Sequence, residues 1–126
     1  AVSALAGCAG SGIEESSFRG LPDGMTFLEV EQNKVQVVWG PDPDSIYLVT
    51  LGSGNCPVLA AKDSWSSRHE LTLSIESFTG VTCTADISAR TSLIRLDPDH
   101  YAGPPLEVTV ESEEYGWERV FVLQEP

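Results

Sequence analysis

Basic side chains are scarce here: seven Lys and Arg stand against 19 Asp and Glu in 126 residues, a formal net charge of −12. So acidic a chain repels phosphate backbones, which excludes nucleic-acid binding through a cationic footprint. No run of 18 apolar residues occurs, so the residues given hold no candidate for a spanning helix. Only two histidines, His69 and His100, offer a base that titrates near neutral pH. Also missing are a Gly-x-Ser-x-Gly elbow, a Cys-x-x-Cys pair and an Asp-x-Asp-x-Asp-Gly loop. The familiar sequence signatures of serine hydrolases, dithiol redox sites and EF-hands are thereby absent. No stretch of a dozen residues has convincing helical spacing; Ala85 to Arg90 allows one helical turn at most.

What is present suits one domain. Leu, Ile, Val and Phe make 33 of the 126 residues, about 26%, enough to build a core. From Met25 onward the dominant period is two. Leu71, Leu73 and Ile75 alternate with polar residues, as do Leu106, Val108 and Val110, and Val35, Val37 and Trp39 share one face of a further run. One apolar and one polar face per run is the pattern of antiparallel strands covering a core on one side. Turn signals separate the runs, among them Gly40-Pro41-Asp42-Pro43-Asp44, Gly52-Ser53-Gly54-Asn55, Asp97-Pro98-Asp99 and Gly103-Pro104-Pro105. Strands are expected over 25–31, 34–39, 45–51, 57–61, 68–77, 81–85, 91–96, 105–112 and 117–124. Seven to nine short strands of this kind predict an all-β fold, an antiparallel sandwich of immunoglobulin-like type or else a small barrel.

The three cysteines are Cys8, Cys56 and Cys83, and the odd number asks which one stands apart. Leu5-Ala6-Gly7-Cys8, preceded by the small or apolar Ala1, Val2, Ser3 and Ala4, resembles the lipobox of bacterial lipoproteins. The resemblance implies that residues 1–7 are the end of a signal peptide and that Cys8 carries a lipid at the membrane surface. Residues 8–20 then comprise the lipidated cysteine and a flexible Gly-, Ser- and Glu-rich linker, with an r.m.s. reach of roughly 20 Å for its length. The β domain occupies 21–126. With Cys8 acylated, Cys56 and Cys83 remain, 27 positions apart, and an oxidising compartment joins such a pair. A bridge across that span contributes roughly 3–4 kcal/mol. A zinc finger is a poor alternative, since His69 and His100 stand 31 positions apart.

Gly54-Asn55-Cys56-Pro57, Thr82-Cys83-Thr84-Ala85-Asp86 and the following Thr91-Ser92-Leu93-Ile94-Arg95-Leu96 carry a second, wider likeness. With Cys8 they resemble small exported lipoproteins of actinobacteria. That likeness implies a place on the outer face of the cytoplasmic membrane and a Cys56–Cys83 bridge, and it brings no activity.

The chemistry is sparse. His100 follows Asp99 in a loop, and His69 follows Arg68 at an expected strand start. Asp86 suits the capping of a turn better than acid catalysis. Asp42-Pro43-Asp44, Asp97-Pro98-Asp99 and Glu111-Ser112-Glu113-Glu114 offer oxygen ligands but lack calcium-loop spacing, so no metal and no cofactor is expected. The most promising surface is a hairpin tip where Tyr115 and Trp117 flank Gly116 beside Glu113 and Glu114. Aromatics at a tip are placed to stack on a carbohydrate or to anchor a protein partner. The expected function is therefore a lipid-anchored, extracytoplasmic binding or accessory module without catalysis. Two alternatives remain: a hydrolase using loop carboxylates and His100, and an inhibitor-like module presenting the Gly52–Pro57 loop.

Overall fold

A computed structural model describes residues 14–77 and 82–125. In chain order these form β1 (Glu14–Arg19), α1 (Phe27–Asn33), β2 (Val35–Trp39), β3 (Ser45–Gly52), β4 (Val58–Ser67), β5 (Glu70–Ser77), β6 (Ser88–Arg95), β7 (Leu106–Ser112) and β8 (Trp117–Leu123). The strands make two four-stranded sheets, ordered β1–β6–β3–β2 and β4–β5–β7–β8. The architecture is the expected all-β sandwich, and no barrel closes. Every pairing is antiparallel except β5 with β7. That parallel contact arises because the chain leaves for the other sheet between these two strands, laying down β6 before it returns.

The period-two runs explain the core. Opposite Leu71 and Leu73 on β5 the parallel register sets Val108 and Val110 of β7, and all four are buried. Their alternates, Thr72, Ser74, Thr109 and Glu111, take the other face. In the facing sheet, Val37 pairs Leu48 and Ile46 pairs Ile94, and the two rows meet in one cluster with Leu96 and Leu106. Fully burying aliphatic side chains of this size stabilises a fold by about 1.5–3 kcal/mol each, which makes this seam the principal favourable term.

Three expectations are corrected. Residues 25–31, expected as a strand, instead open α1: Thr26 Oγ accepts from the Glu29 N–H at 3.3 Å while Glu29 Oε2 accepts from the Thr26 N–H at 2.6 Å, a reciprocal capping box. The helix contacts β2 and β3, and its Val30 is fully buried together with Val49, a β3 residue on the face away from the core. Residues 14–19, expected within a flexible linker, form β1, paired with β6 from Glu14↔Ile94 to Arg19↔Arg90. The exposed edge of β6 supplies the backbone partners that the polar β1 sequence gives no sign of. The third correction concerns 81–85: residues 82–87 are irregular, and β6 begins earlier than expected, at Ser88, so Ala85–Arg90 forms no helical turn. Cys8 and the signal-peptide and lipidation expectations attached to it lie outside the described residues.

Candidate functional site

Antiparallel order brings many chain segments to one end of the sandwich. There β3 finishes (Thr50–Gly52), β4 starts (Val58), β5 finishes (Ile75–Ser77) and the β7–β8 hairpin turns. Between them lies a cleft of about 780 Å³, also bordered by Glu31 and Lys34 at the end of α1 and by Asp86 and Ile87 before β6. That volume is in the range of small-molecule sites. Val35, Val58, Ile75 and Trp117 give it an apolar floor, while Glu31, Glu76, Asp86 and Glu114 set four carboxylates against the single ammonium of Lys34.

The hairpin tip is built as the sequence suggests. Ser112 pairs Trp117 across the strands, the Gly116 N–H donates to Ser112 O at 2.8 Å, and Gly116 takes φ +71°, a conformation that suits glycine. Of the four binding candidates, Glu114, Tyr115 and Trp117 line the cleft, and Glu113 does not. Tyr115 is 69% exposed. Trp117 is half-buried against the core, and the Arg119 guanidinium lies 5.4 Å from its ring centroid. Glu114 accepts from the Ser77 N–H at 3.4 Å, which ties the tip to the end of β5.

The opposite lip is clamped. Cys56 and Cys83 are joined by a disulfide, as the parity of the cysteines and the lipoprotein likeness imply. Asn55 adds to it, its Oδ1 accepting from the Thr84 N–H at 2.8 Å and its Nδ2 donating to Thr82 O at 2.9 Å. Asp86 accepts from the Gly54 N–H at 3.2 Å and from the Thr84 hydroxyl. These two hydrogen bonds, the hydroxyl's first, hold the Asp86 carboxyl below its ordinary range. A group so stabilised as the anion serves as a turn cap and is a poor proton donor. The approach is close: a Cβ on Gly54 would lie 2.9 Å from Asp86 Oδ2, and one on Gly52 would lie 2.9 Å from Cys56 O.

Neither histidine reaches the cleft. His69 Nδ1 lies 3.0 Å from both Gly103 O and Pro105 O, so its N–H serves two carbonyls of a loop. His100 Nδ1 lies 3.0 Å from Asp97 Oδ2, and its ring stacks on Trp65 at 6.0 Å and 12°. Among the described residues no hydroxyl hydrogen-bonds either ring. Trp65 and Trp39 both contact Tyr101 at this far end, where the Trp39 indole N–H donates to Gln124 O at 2.6 Å. Trp39 thus flanks the core, as its place on the apolar face suggested.

The three carboxylate groups have other uses. Arg95 bridges Asp42 at 3.3 Å and Asp44 at 3.0 Å. Asp97 accepts from the Asp99 N–H, the larger influence, and pairs with His100, and together they lower its carboxyl. Glu111 accepts from the Ser74 hydroxyl at 2.9 Å. Among the described residues, no three His, Cys, Asp or Glu side chains gather as metal ligands, and no helix is long and apolar enough to cross a membrane.

Sequence reasoning reached the hairpin side of the cleft and missed its other walls. Val58, Ile75, Glu31, Lys34 and Ile87 carry no motif, since only the meeting of the two sheets makes them neighbours. No protein-family model matches this chain, and no curated protein or solved structure matches it either.

Proposed function

We propose that this domain is a lipid-anchored, extracytoplasmic binding or accessory module that holds a ligand in the cleft between its sheets and does no chemistry on it. The observation that carries the reading is the cleft itself, an apolar floor under the aromatic hairpin tip, with its facing lip fastened by a disulfide. A pre-formed, partly apolar hollow with a few polar groups is the ordinary form of a ligand site. The disulfide supports export, because such bonds persist in oxidising compartments.

The geometry of β1 supports the anchoring half of the reading. Glu14 pairs with Ile94, whereas the cleft sits at the Gly52–Ser88 end of the same sheet. Glu14, the first described residue, therefore stands at the end opposite the cleft. Six residue steps separate Cys8 from Glu14, which span at most about 20 Å. A lipid on Cys8 would hold the cleft outward, away from the bilayer.

The alternatives gain less. A hydrolase built on His100 would use a ring that lies outside the cleft and is engaged with Asp97. An inhibitor presenting Gly52–Pro57 would need backbone groups free for a protease, yet Gly54 O already accepts from Arg19 at 3.1 Å and the Cys56 N–H donates to Ser53 O at 3.3 Å.

Palmitate labelling of the full-length precursor tests the anchor. Label is expected on the parent and lost in Cys8→Ser; a parent without label removes the anchoring claim. For the binding claim, a compound that shifts the Tyr115 and Trp117 resonances is expected back chemically unchanged after prolonged incubation, and turnover would overturn the non-catalytic reading.

A further inference from the structure

We propose that the cleft selects small organic cations: ligands with an apolar body that rests on Val35, Val58 and Ile75 and an amine held at the carboxylate rim. This rests on the binding reading above and gives it a ligand class. Four carboxylates and one ammonium leave the cleft lining strongly negative, within a chain whose formal charge is −12. Low-dielectric walls lined by one sign of charge focus the field into a cleft and raise the local concentration of the opposite ion. Asp86 is held as the anion by its neighbours. Among the described residues, Glu31 and Glu76 make no ion pair, so their charge is not already spent within the domain.

The shape of the lining excludes two other ligand classes. An anionic ligand would bring its charge against four carboxylates, with Lys34 as the one cation of the lining and Arg119 and Arg19 behind Trp117 and Asp86. A flat sugar would need ring faces to stack on, and Trp117 is half-buried with Arg119 over its ring, which leaves Tyr115 as the single open platform. An amine suits that platform as well, since the face of an aromatic ring attracts a cation.

The test uses one ring in three charge states: tryptamine, neutral 3-ethylindole and indole-3-propionate, titrated against the 126-residue chain and followed at the Trp117 indole N–H. Tryptamine is expected to bind at least tenfold more tightly than indole-3-propionate near 0.01 M salt, where screening reaches about 30 Å, and the gap to shrink near 1 M, where it falls to about 3 Å. The Glu31→Gln/Glu76→Gln double variant is expected to lose most of that gap. Equal or tighter binding of the propionate would overturn cation selectivity, and if 3-ethylindole still binds, the cleft stands as a ligand site. Should none of the three move Trp117, cation selectivity and the cleft reading fall together.

Discussion

Tyr101 carries the one buried side-chain polar atom without a hydrogen-bond partner among the described residues, its hydroxyl. Burial, helped by the nearby Asp44 charge, pushes its phenol above the ordinary value of 10.0. Removing an unsatisfied buried donor recovers its desolvation cost, so Tyr101→Phe is expected to stabilise the fold by about 1 kcal/mol in urea unfolding. A clear loss of stability would mean that the hydroxyl has a partner. Asp86 gives the opposite case. Its carboxyl is lowered from 3.8 in the fold, so its contribution is complete above the unfolded value and disappears as pH falls through the folded one. The Gly54 amide resonance is therefore expected to titrate with a midpoint below 3.8; a midpoint above it would contradict the clamp. The sequence foreshadowed both Asp86 as a cap and the Cys56–Cys83 bond. It gave no hint of Tyr101, whose partners Trp39 and Trp65 lie 62 and 36 positions away.

At the scale of elements, what was legible follows from periodicity. β5 and β7 alternate strictly because each covers a core on one side, and both were found nearly to the residue. β1 and α1 were not. β1 is polar along most of its length and exists because β6 offers an edge, while α1 has just seven residues, too few for a helical period to emerge beside the apolar run Met25, Phe27, Leu28. One local signal was available, Thr26-x-x-Glu29, the pattern of a capping box. Thr26→Ala is expected to cost about 1 kcal/mol, read as a lowered urea midpoint with unchanged slope. No change would mean that packing of Val30 alone holds the helix. Half the cleft was legible for the same reason. The hairpin announces itself by Gly116 between two aromatics, whereas the walls come from strand ends that become neighbours only in three dimensions.

For the whole molecule, the bridge and the cleft are one construction. Cys56 stands just before β4 in one sheet and Cys83 stands before β6 in the other, so the bond closes the end of the sandwich where the two sheets border the cleft. Replacing both cysteines by serine is expected to cost about 3–4 kcal/mol and to weaken any ligand that touches Asp86 or Ile87. Stability that survives reduction unchanged would separate the bond from the fold. The two ends of the sandwich also differ in kind: one is packed with Trp39, Trp65, Tyr101 and His100, and the other is hollow. The three tryptophans divide between them, and this permits a direct measurement. Titrating the 15N-labelled chain with a set of small aromatic amines and following all three indole N–H signals reports on both ends at once. The account predicts saturable shifts at Trp117 while Trp39 and Trp65 stay still; shifts at Trp39 or Trp65 with Trp117 unmoved would contradict it.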